Sequence, residues 1–80
     1  MVKPGDMISF MTSDVLWRNT DPRDGHAVCS ITNDDMFLVI ATLVLHRRDP
    51  PWALLISVGT NKFGWAMPQS NDVVIHGQTR

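Results

Sequence analysis

The chain has 80 residues, 44% of them hydrophobic, and a formal net charge of -1 at pH 7. This length supports one domain with one core, residues 1–80, and this composition excludes a disordered chain. The near-neutral charge excludes a uniformly basic surface for nucleic acid, and a single cysteine, Cys29, excludes an internal disulfide.

The N-terminal segment begins with the turn-forming residues Lys3-Pro4-Gly5-Asp6. Residues 7–11 follow as a predicted short strand, with Ile8 and Phe10 on one face. No secretory signal precedes this strand, and no segment reaches the roughly 18 apolar residues of a membrane-spanning helix. Together with the single cysteine, which we expect to be a buried or half-buried thiol, this favours a cytoplasmic protein without a membrane partner.

Residues 12–35 are rich in Asp, Asn, Gly and Pro, which are turn residues. Two short apolar segments, residues 15–17 and 27–31, interrupt them. A structureless loop of this length is unusual in a compact domain. We therefore expect an irregular hairpin, with Trp17 held against the core.

Residues 36–46 are apolar on both faces of a strand, which leaves two interpretations. The β-branched side chains and the lack of a polar helical face favour a long, bent strand. A helix capped by Asn33 or Asp34 and ending at His46 is the alternative. If one face of the strand is not covered within the chain, a homodimer would bury it.

In the C-terminal half, the sequence pattern predicts an exposed loop at residues 47–51, a strand at 52–58, a tight turn at 59–62 and a strand at 63–67. Gly64 would allow a neighbouring backbone or an aromatic ring to approach closely. Residues 68–72 are interpreted as a single helical turn, residues 73–75 as the closing strand and residues 76–80 as a frayed tail.

The motifs after residue 51 resemble those of SH3-like barrels, in particular small SH3-like proteins of bacteria and bacteriophages. They are a strand that begins with Trp52, a tight turn, Gly64-Trp65, a corner that begins with Pro68, and Val73-Val74-Ile75. The resemblance implies an all-β fold, a five-stranded small barrel. In it, residues 12–35 take the place of the long RT loop, residues 47–51 that of the n-Src loop, and a 3₁₀ corner precedes the last strand.

Polyproline recognition does not carry over from the eukaryotic SH3 domains. Those domains use tyrosines that this chain lacks altogether, and only Trp52, Pro68 and Asn71 match approximately. The resemblance therefore implies a non-catalytic protein-interaction or assembly module, and a small phage or bacterial accessory protein, whose protein partner differs from a polyproline ligand.

The predicted partner-binding surface is a groove between residues 12–35 and residues 47–52. Trp52 follows two prolines at a loop exit, and tryptophan and arginine are enriched at binding hot spots. The residues expected to contact a partner are Trp52, Arg47, Arg48, Trp17 and Pro68. The alternative function is a nucleic-acid-binding small barrel that uses Arg47, Arg48 and aromatic side chains, although eight Asp residues weaken its positive field.

Catalysis and metal binding have little support in the sequence. His26, His46 and His76 are scattered, and no nucleophile or phosphate-binding motif occurs. His26 and Cys29 could supply two zinc ligands but lack a second pair, and residues 33–35 lack the spacing of a calcium loop. We expect no catalytic residue, no metal and no cofactor.

Overall fold

The computed structural model describes residues 2–20, 26–69 and 72–76, which form seven strands and no helix. The strands occur in one sheet, in the order β3-β2-β6-β5-β4-β1-β7, and each paired neighbour is antiparallel. The strands are β1 Met7–Phe10, β2 Asp14–Trp17, β3 Ala27–Ile31, β4 Met36–Leu43, β5 Trp52–Ser57, β6 Phe63–Ala66 and β7 Val73–His76. The predicted all-β class is confirmed.

The sheet is open, with β3 and β7 as its two edges. It has seven strands because the long segment before β4 supplies two strands of its own, β2 and β3, whereas the sequence predicted a barrel of five strands and a long loop. The described residues contain no helix long and apolar enough to cross a membrane.

The N-terminal turn fastens the start of the chain to β4. Pro4 and Gly5 occupy its two central positions, Gly5 has a φ of 95°, and the Asp6 N–H donates to the Lys3 carbonyl at 3.0 Å. Such a turn requires a left-handed residue at its third position, which glycine provides without strain. The Gly5 N–H donates to the Val39 carbonyl, and the Val39 N–H to the Asp6 carbonyl, both at 2.8 Å.

The predicted hairpin in the region of residues 12–35 is confirmed in the described residues as β2 paired with β3. Its register shifts at Leu16 and Trp17, whose partners are Cys29 and Ala27, so Val28 is an extra, bulged residue. Leu16 is fully buried and Trp17 is half-buried. The residue held deepest in the core is therefore Leu16, because side chains alternate along a strand and only one of these neighbours can face inward.

The long, bent strand predicted for residues 36–46 is confirmed as β4 over Met36–Leu43, so it ends three residues earlier than predicted, and the helix alternative is wrong. Val39 pairs with Leu55 and Ala41 with Leu54, which leaves Ile40 as an extra residue in a bulge. A bulge increases the local twist and bends the strand. β-branched residues favour this extended conformation over a helix.

The tight turn between β5 and β6 is also confirmed. The Ser57 N–H donates to the Lys62 carbonyl at 2.7 Å, and the Asn61 N–H donates to the Ser57 carbonyl at 2.9 Å. Asn61 has a φ of 60°, a left-handed conformation that asparagine tolerates better than most residues.

The corner before β7 is only partly described, because residues 70 and 71 of the predicted 3₁₀ turn lie outside the described residues. Across it, the Asp72 N–H donates to the Gln69 carbonyl at 2.8 Å. β7 then pairs with β1 over four positions and includes His76, so the predicted tail does not begin at this residue. Residues 77–80 are outside the described part of the chain.

One face of the sheet encloses the core. Phe10 and Phe37 meet edge to face, with ring centroids 5.9 Å apart and an interplanar angle of 88°. This is a favourable arrangement for an aromatic pair. The largest fully buried side chains are Phe10, Phe37, Ile8, Leu16, Ile31, Leu55 and Val39.

Candidate functional site

Trp52, the main predicted contact residue, is only 6% exposed. It begins β5, which lies between β4 and β6, and its partner across the ladder is Leu43. A large side chain on a central strand has neighbouring strands on both sides that can cover it. The sequence did not reveal that β5 is such a strand. The structure therefore offers little of this ring to a partner.

The other predicted contact residues differ in their burial. Arg47 and Arg48 are exposed at the centre of a turn in which the Asp49 N–H donates to the His46 carbonyl at 3.2 Å. Pro68 is buried, and Trp17 is half-buried opposite Trp65 of β6. Residues 21–25 of the predicted groove lie outside the described residues. The exposed arginine turn remains as the one predicted contact that is fully open to solvent.

The face of the sheet opposite the core carries a continuous row of apolar side chains. Phe63 of β6 lies opposite Ile56 of β5, Ile56 opposite Leu38 of β4, and Leu38 opposite Met7 of β1. Residues directly opposite each other on neighbouring strands project from the same face. This row extends the apolar character of β4 to three further strands.

More apolar residues flank this row. The Val58 N–H donates to the Met36 carbonyl at 2.9 Å, which brings these two residues together beside the row. Ile40, the bulged residue of β4, is 44% exposed, and Phe63 is 62% exposed. We call this surface the outer patch, and it consists of Met7, Met36, Leu38, Ile40, Ile56, Val58 and Phe63.

The outer patch contains no charged residue. Four of its members, Met36, Ile40, Val58 and Phe63, are each at least 36% exposed, and large contiguous apolar patches on a protein surface often mark interaction sites. One sign of it is visible in the sequence, since residues 36–46 are apolar on both faces of a strand. The contributions of Val58 and Phe63 depend on strand register and were missed.

A cavity of about 450 Å³ opens at one end of the sheet, between the β2–β3 hairpin and the β5–β6 turn. We call it the hairpin cavity, and it is lined by Arg18, Val28, Asn61, Lys62 and Phe63. Arg18 and Lys62 are both exposed. The sequence does not predict this cavity, because nothing in the spacing of 44 positions between these two cations shows that the fold brings them together.

Gly64 allows the two walls of the hairpin cavity to approach each other. A Cβ atom at this position would lie 2.8 Å from the Trp17 carbonyl oxygen, 3.2 Å from Leu16 Cβ and 3.3 Å from Val28 Cγ2. The prediction that a neighbouring backbone approaches Gly64 closely is confirmed. Glycine is needed here for lack of space and not for an unusual backbone angle.

The structure also brings together one pair of side chains that the sequence had placed apart. Ser9 Oγ and His76 Nε2 lie 2.7 Å from each other, across the β1–β7 ladder. A serine beside a histidine supplies two parts of a hydrolytic site, but catalysis also requires a group that orients the histidine and donors that stabilise an oxyanion. The hydrogen bond fastens the last strand to β1.

Within the described residues, no group of three or more His, Cys, Asp or Glu side chains could hold a metal ion. Cys29 is half-buried, as expected for a packed thiol, and His26 is exposed. In the acidic run, the Asp35 carboxylate accepts from the Thr32 N–H at 2.9 Å and the Thr32 hydroxyl at 3.3 Å. This carboxylate therefore closes a local turn.

Comparison of the chain with protein-family models, with curated proteins and with solved structures finds no match in any of the three.

Proposed function

We propose that this protein is a non-catalytic interaction and assembly module of SH3-like fold, which associates with a second copy of itself through the outer patch. The observation that carries the proposal is the charge-free apolar row on the face opposite the core. Antiparallel sheets with one solvated face ordinarily alternate apolar and polar residues, and this apolar row departs from that pattern.

The SH3-like fold is supported by the order of elements along the chain. A short strand is followed by a long hairpin, a bent strand, a loop, a strand headed by Trp52, a tight turn and a further strand. The last strand then pairs with the first. The same chain order motivates the proposal that this is a small accessory protein of a bacterium or a phage.

A second copy is the occupant that best fits the chemistry of the outer patch. In a two-fold dimer the same surface faces itself, so like charges in the patch would oppose one another. The outer patch has none, and the interfaces of permanent homodimers are more apolar than those of transient complexes. A stable interface usually buries about 800 Å² per partner, so a dimer through the outer patch would also bury polar residues around it.

The positions of the cations count against the nucleic-acid alternative. Arg47 and Arg48 precede β5, whereas Lys62 follows it and Arg18 lies beside Lys62 at the hairpin cavity. The six residues of β5 separate these two groups by about 20 Å. A backbone-binding surface needs a contiguous stripe of positive charge, and the intervening outer patch is apolar.

Sedimentation equilibrium between about 1 and 100 µM, the range of a moderate homodimer affinity, tests the proposal. We expect the unmodified protein to shift from monomer to dimer with rising concentration. Ile40→Lys places a charge in the outer patch and should weaken the association at least about tenfold, since an unpaired buried charge is costly.

Met11→Lys is the matched control, because Met11 is 59% exposed but lies outside the outer patch. Its dimer affinity should equal that of the unmodified protein. Circular dichroism should show both variants folded, and Phe63→Ser offers a second patch variant without a new charge. The proposal would be refuted if the unmodified protein stays monomeric over the whole concentration range. It would also be refuted if Met11→Lys weakens dimerisation as much as Ile40→Lys does.

A further inference from the structure

We infer that the hairpin cavity binds an acidic peptide segment of a partner protein, with a carboxylate between Arg18 and Lys62 and an apolar side chain against Phe63 and Val28. This inference rests on the proposed function as an interaction module and names the chemical class of a partner other than the second copy. It concerns a second surface that shares only Phe63 with the outer patch, since Arg18, Val28, Asn61 and Lys62 lie outside that patch.

Both walls of the hairpin cavity are fixed by backbone contacts. On the hairpin side, the Arg18 N–H donates to the His26 carbonyl at 2.9 Å, and the bulge places Val28 next to Gly64. On the turn side, the Lys62 carbonyl accepts from the Ser57 N–H at 2.7 Å. The cavity is thus held open by regular pairing on each side, and the binding groups project from anchored positions.

The lining combines positive charge with apolar surface. Arg18 and Lys62 come from opposite walls, so one anionic group between them can meet both, and the lining residues that the structure describes include no carboxylate. The Asn61 side chain adds an amide that can donate to the same anion. Phe63, 62% exposed, offers an aromatic face with little of its area used by the fold. Arginine and lysine beside an aromatic ring suit a carboxylate next to an apolar side chain.

The size and charge of the hairpin cavity favour a peptide over a nucleic acid strand. A volume of about 450 Å³ lies in the range of pockets that hold a small group of side chains. Two cations match one or two carboxylates, whereas tight binding of a phosphate backbone comes from neutralising several phosphates in series. The next cations of the described chain along β5, Arg47 and Arg48, lie at the far end of that strand.

Two short peptides test the inference by amide chemical-shift mapping at low salt. The probe is the capped peptide acetyl-Ser-Leu-Glu-Leu-Glu-Ser-amide, and its matched control replaces both Glu residues by Gln. We expect the Glu peptide to shift the amide signals of Arg18, Val28, Asn61, Lys62 and Phe63. The Gln peptide should bind at least about tenfold more weakly, the loss expected for one charged hydrogen bond.

Arg18→Gln and Lys62→Gln should each weaken the Glu peptide about threefold to tenfold, because each removes one charge from the cavity. Arg47→Gln and Arg48→Gln, which remove the same charge at the other end of β5, should leave the affinity unchanged. Equal binding of the Glu and Gln peptides, no shift of the cavity signals, or equal weakening by the Arg47 and Arg48 variants would overturn the inference. Tighter binding of single-stranded oligothymidine, with shifts at both ends of β5, would replace it with the nucleic-acid alternative.

Failure of this inference can be separated from failure of the proposed function. Ile40→Lys should weaken dimerisation while leaving the affinity for the Glu peptide unchanged, and Lys62→Gln should weaken peptide binding while leaving dimerisation unchanged. If the protein binds the Glu peptide but stays monomeric, association through the outer patch is refuted and the hairpin cavity remains the peptide-binding site. A chain that dimerises through the outer patch without binding the peptide would refute the acidic-peptide site alone.

Discussion

The two faces of the sheet have nearly the same hydrophobicity and very different burial. On the core face, Phe37 of β4 lies opposite Ile8 of β1, and both are 1% exposed or less. One position along the same strands, Leu38 lies opposite Met7 on the outer face, where neither is fully buried. Hydrophobic composition therefore does not identify the core of this protein. The apolar residues on the outer face are available for something other than folding.

The largest expected difference between the faces comes from removing the same ring from each. Phe37→Ala deletes a buried ring and its edge-to-face contact with Phe10, and should lower the free energy of unfolding by about 3–5 kcal/mol. Since a domain of this size has only about 5–10 kcal/mol in total, the variant should be close to unfolding at room temperature. Urea denaturation followed by circular dichroism measures the loss.

Phe63→Ala is the control for that comparison, because Phe63 is 62% exposed. At a concentration where the protein is monomeric, it should change the free energy of unfolding by about 0.5 kcal/mol or less, as surface substitutions do. Similar losses from the two variants would mean that the outer face contributes to the core.

A second comparison concerns the junction where the β2–β3 hairpin meets β6. Gly64→Ala places a methyl group 2.8 Å from the Trp17 carbonyl oxygen, and a backbone atom cannot move aside as a flexible side chain can. We expect a loss of about 2–3 kcal/mol in the free energy of unfolding, with the largest amide shifts in the hairpin.

Gly59→Ala is the matched control, since nothing lies within 4 Å of a Cβ atom at Gly59. This substitution should be neutral or stabilising by up to about 1 kcal/mol, because alanine restricts the unfolded chain more than glycine does. If both alanines are tolerated equally, the close approach at Gly64 is not present in solution.

The smallest expected effect comes from exchanging valine for the similarly shaped threonine on each face. Val39→Thr buries a hydroxyl at a position that is 1% exposed and should cost about 1–2 kcal/mol. Val58→Thr, at a position that is 54% exposed, should change the free energy of unfolding by less than about 0.5 kcal/mol while weakening dimerisation severalfold. Thermal unfolding at low concentration and sedimentation equilibrium separate the two effects, and a Val58→Thr variant with unchanged dimerisation would exclude Val58 from the interface.

The strands of this chain could be predicted because their signals are local. Alternation identified β1, β-branched residues favoured a strand for β4, and turn residues marked the connection between β5 and β6. The left-handed Asn61 and the positive φ of Gly5 both fall where asparagine and glycine are expected. Each of these signals spans only a few residues.

The surfaces could not be predicted with equal success, because they depend on which strands become neighbours. Trp52 is a predicted partner contact because it follows two prolines, yet β5 lies between two strands and the side chain is buried. The hairpin cavity requires a bulge at Val28 and the approach of β2 to Gly64, and both are contacts between distant segments. A single sequence contains no direct record of such pairings.

The most direct test of the account is the concentration dependence of the amide spectrum of the unmodified protein. We predict that raising the concentration through the dimerisation range shifts or broadens signals of the outer patch, with those of the arginine turn at Arg47 and Arg48 unchanged. A spectrum that does not change with concentration, or changes confined to the edge strands β3 and β7, would contradict the assignment of the outer patch as the interaction surface.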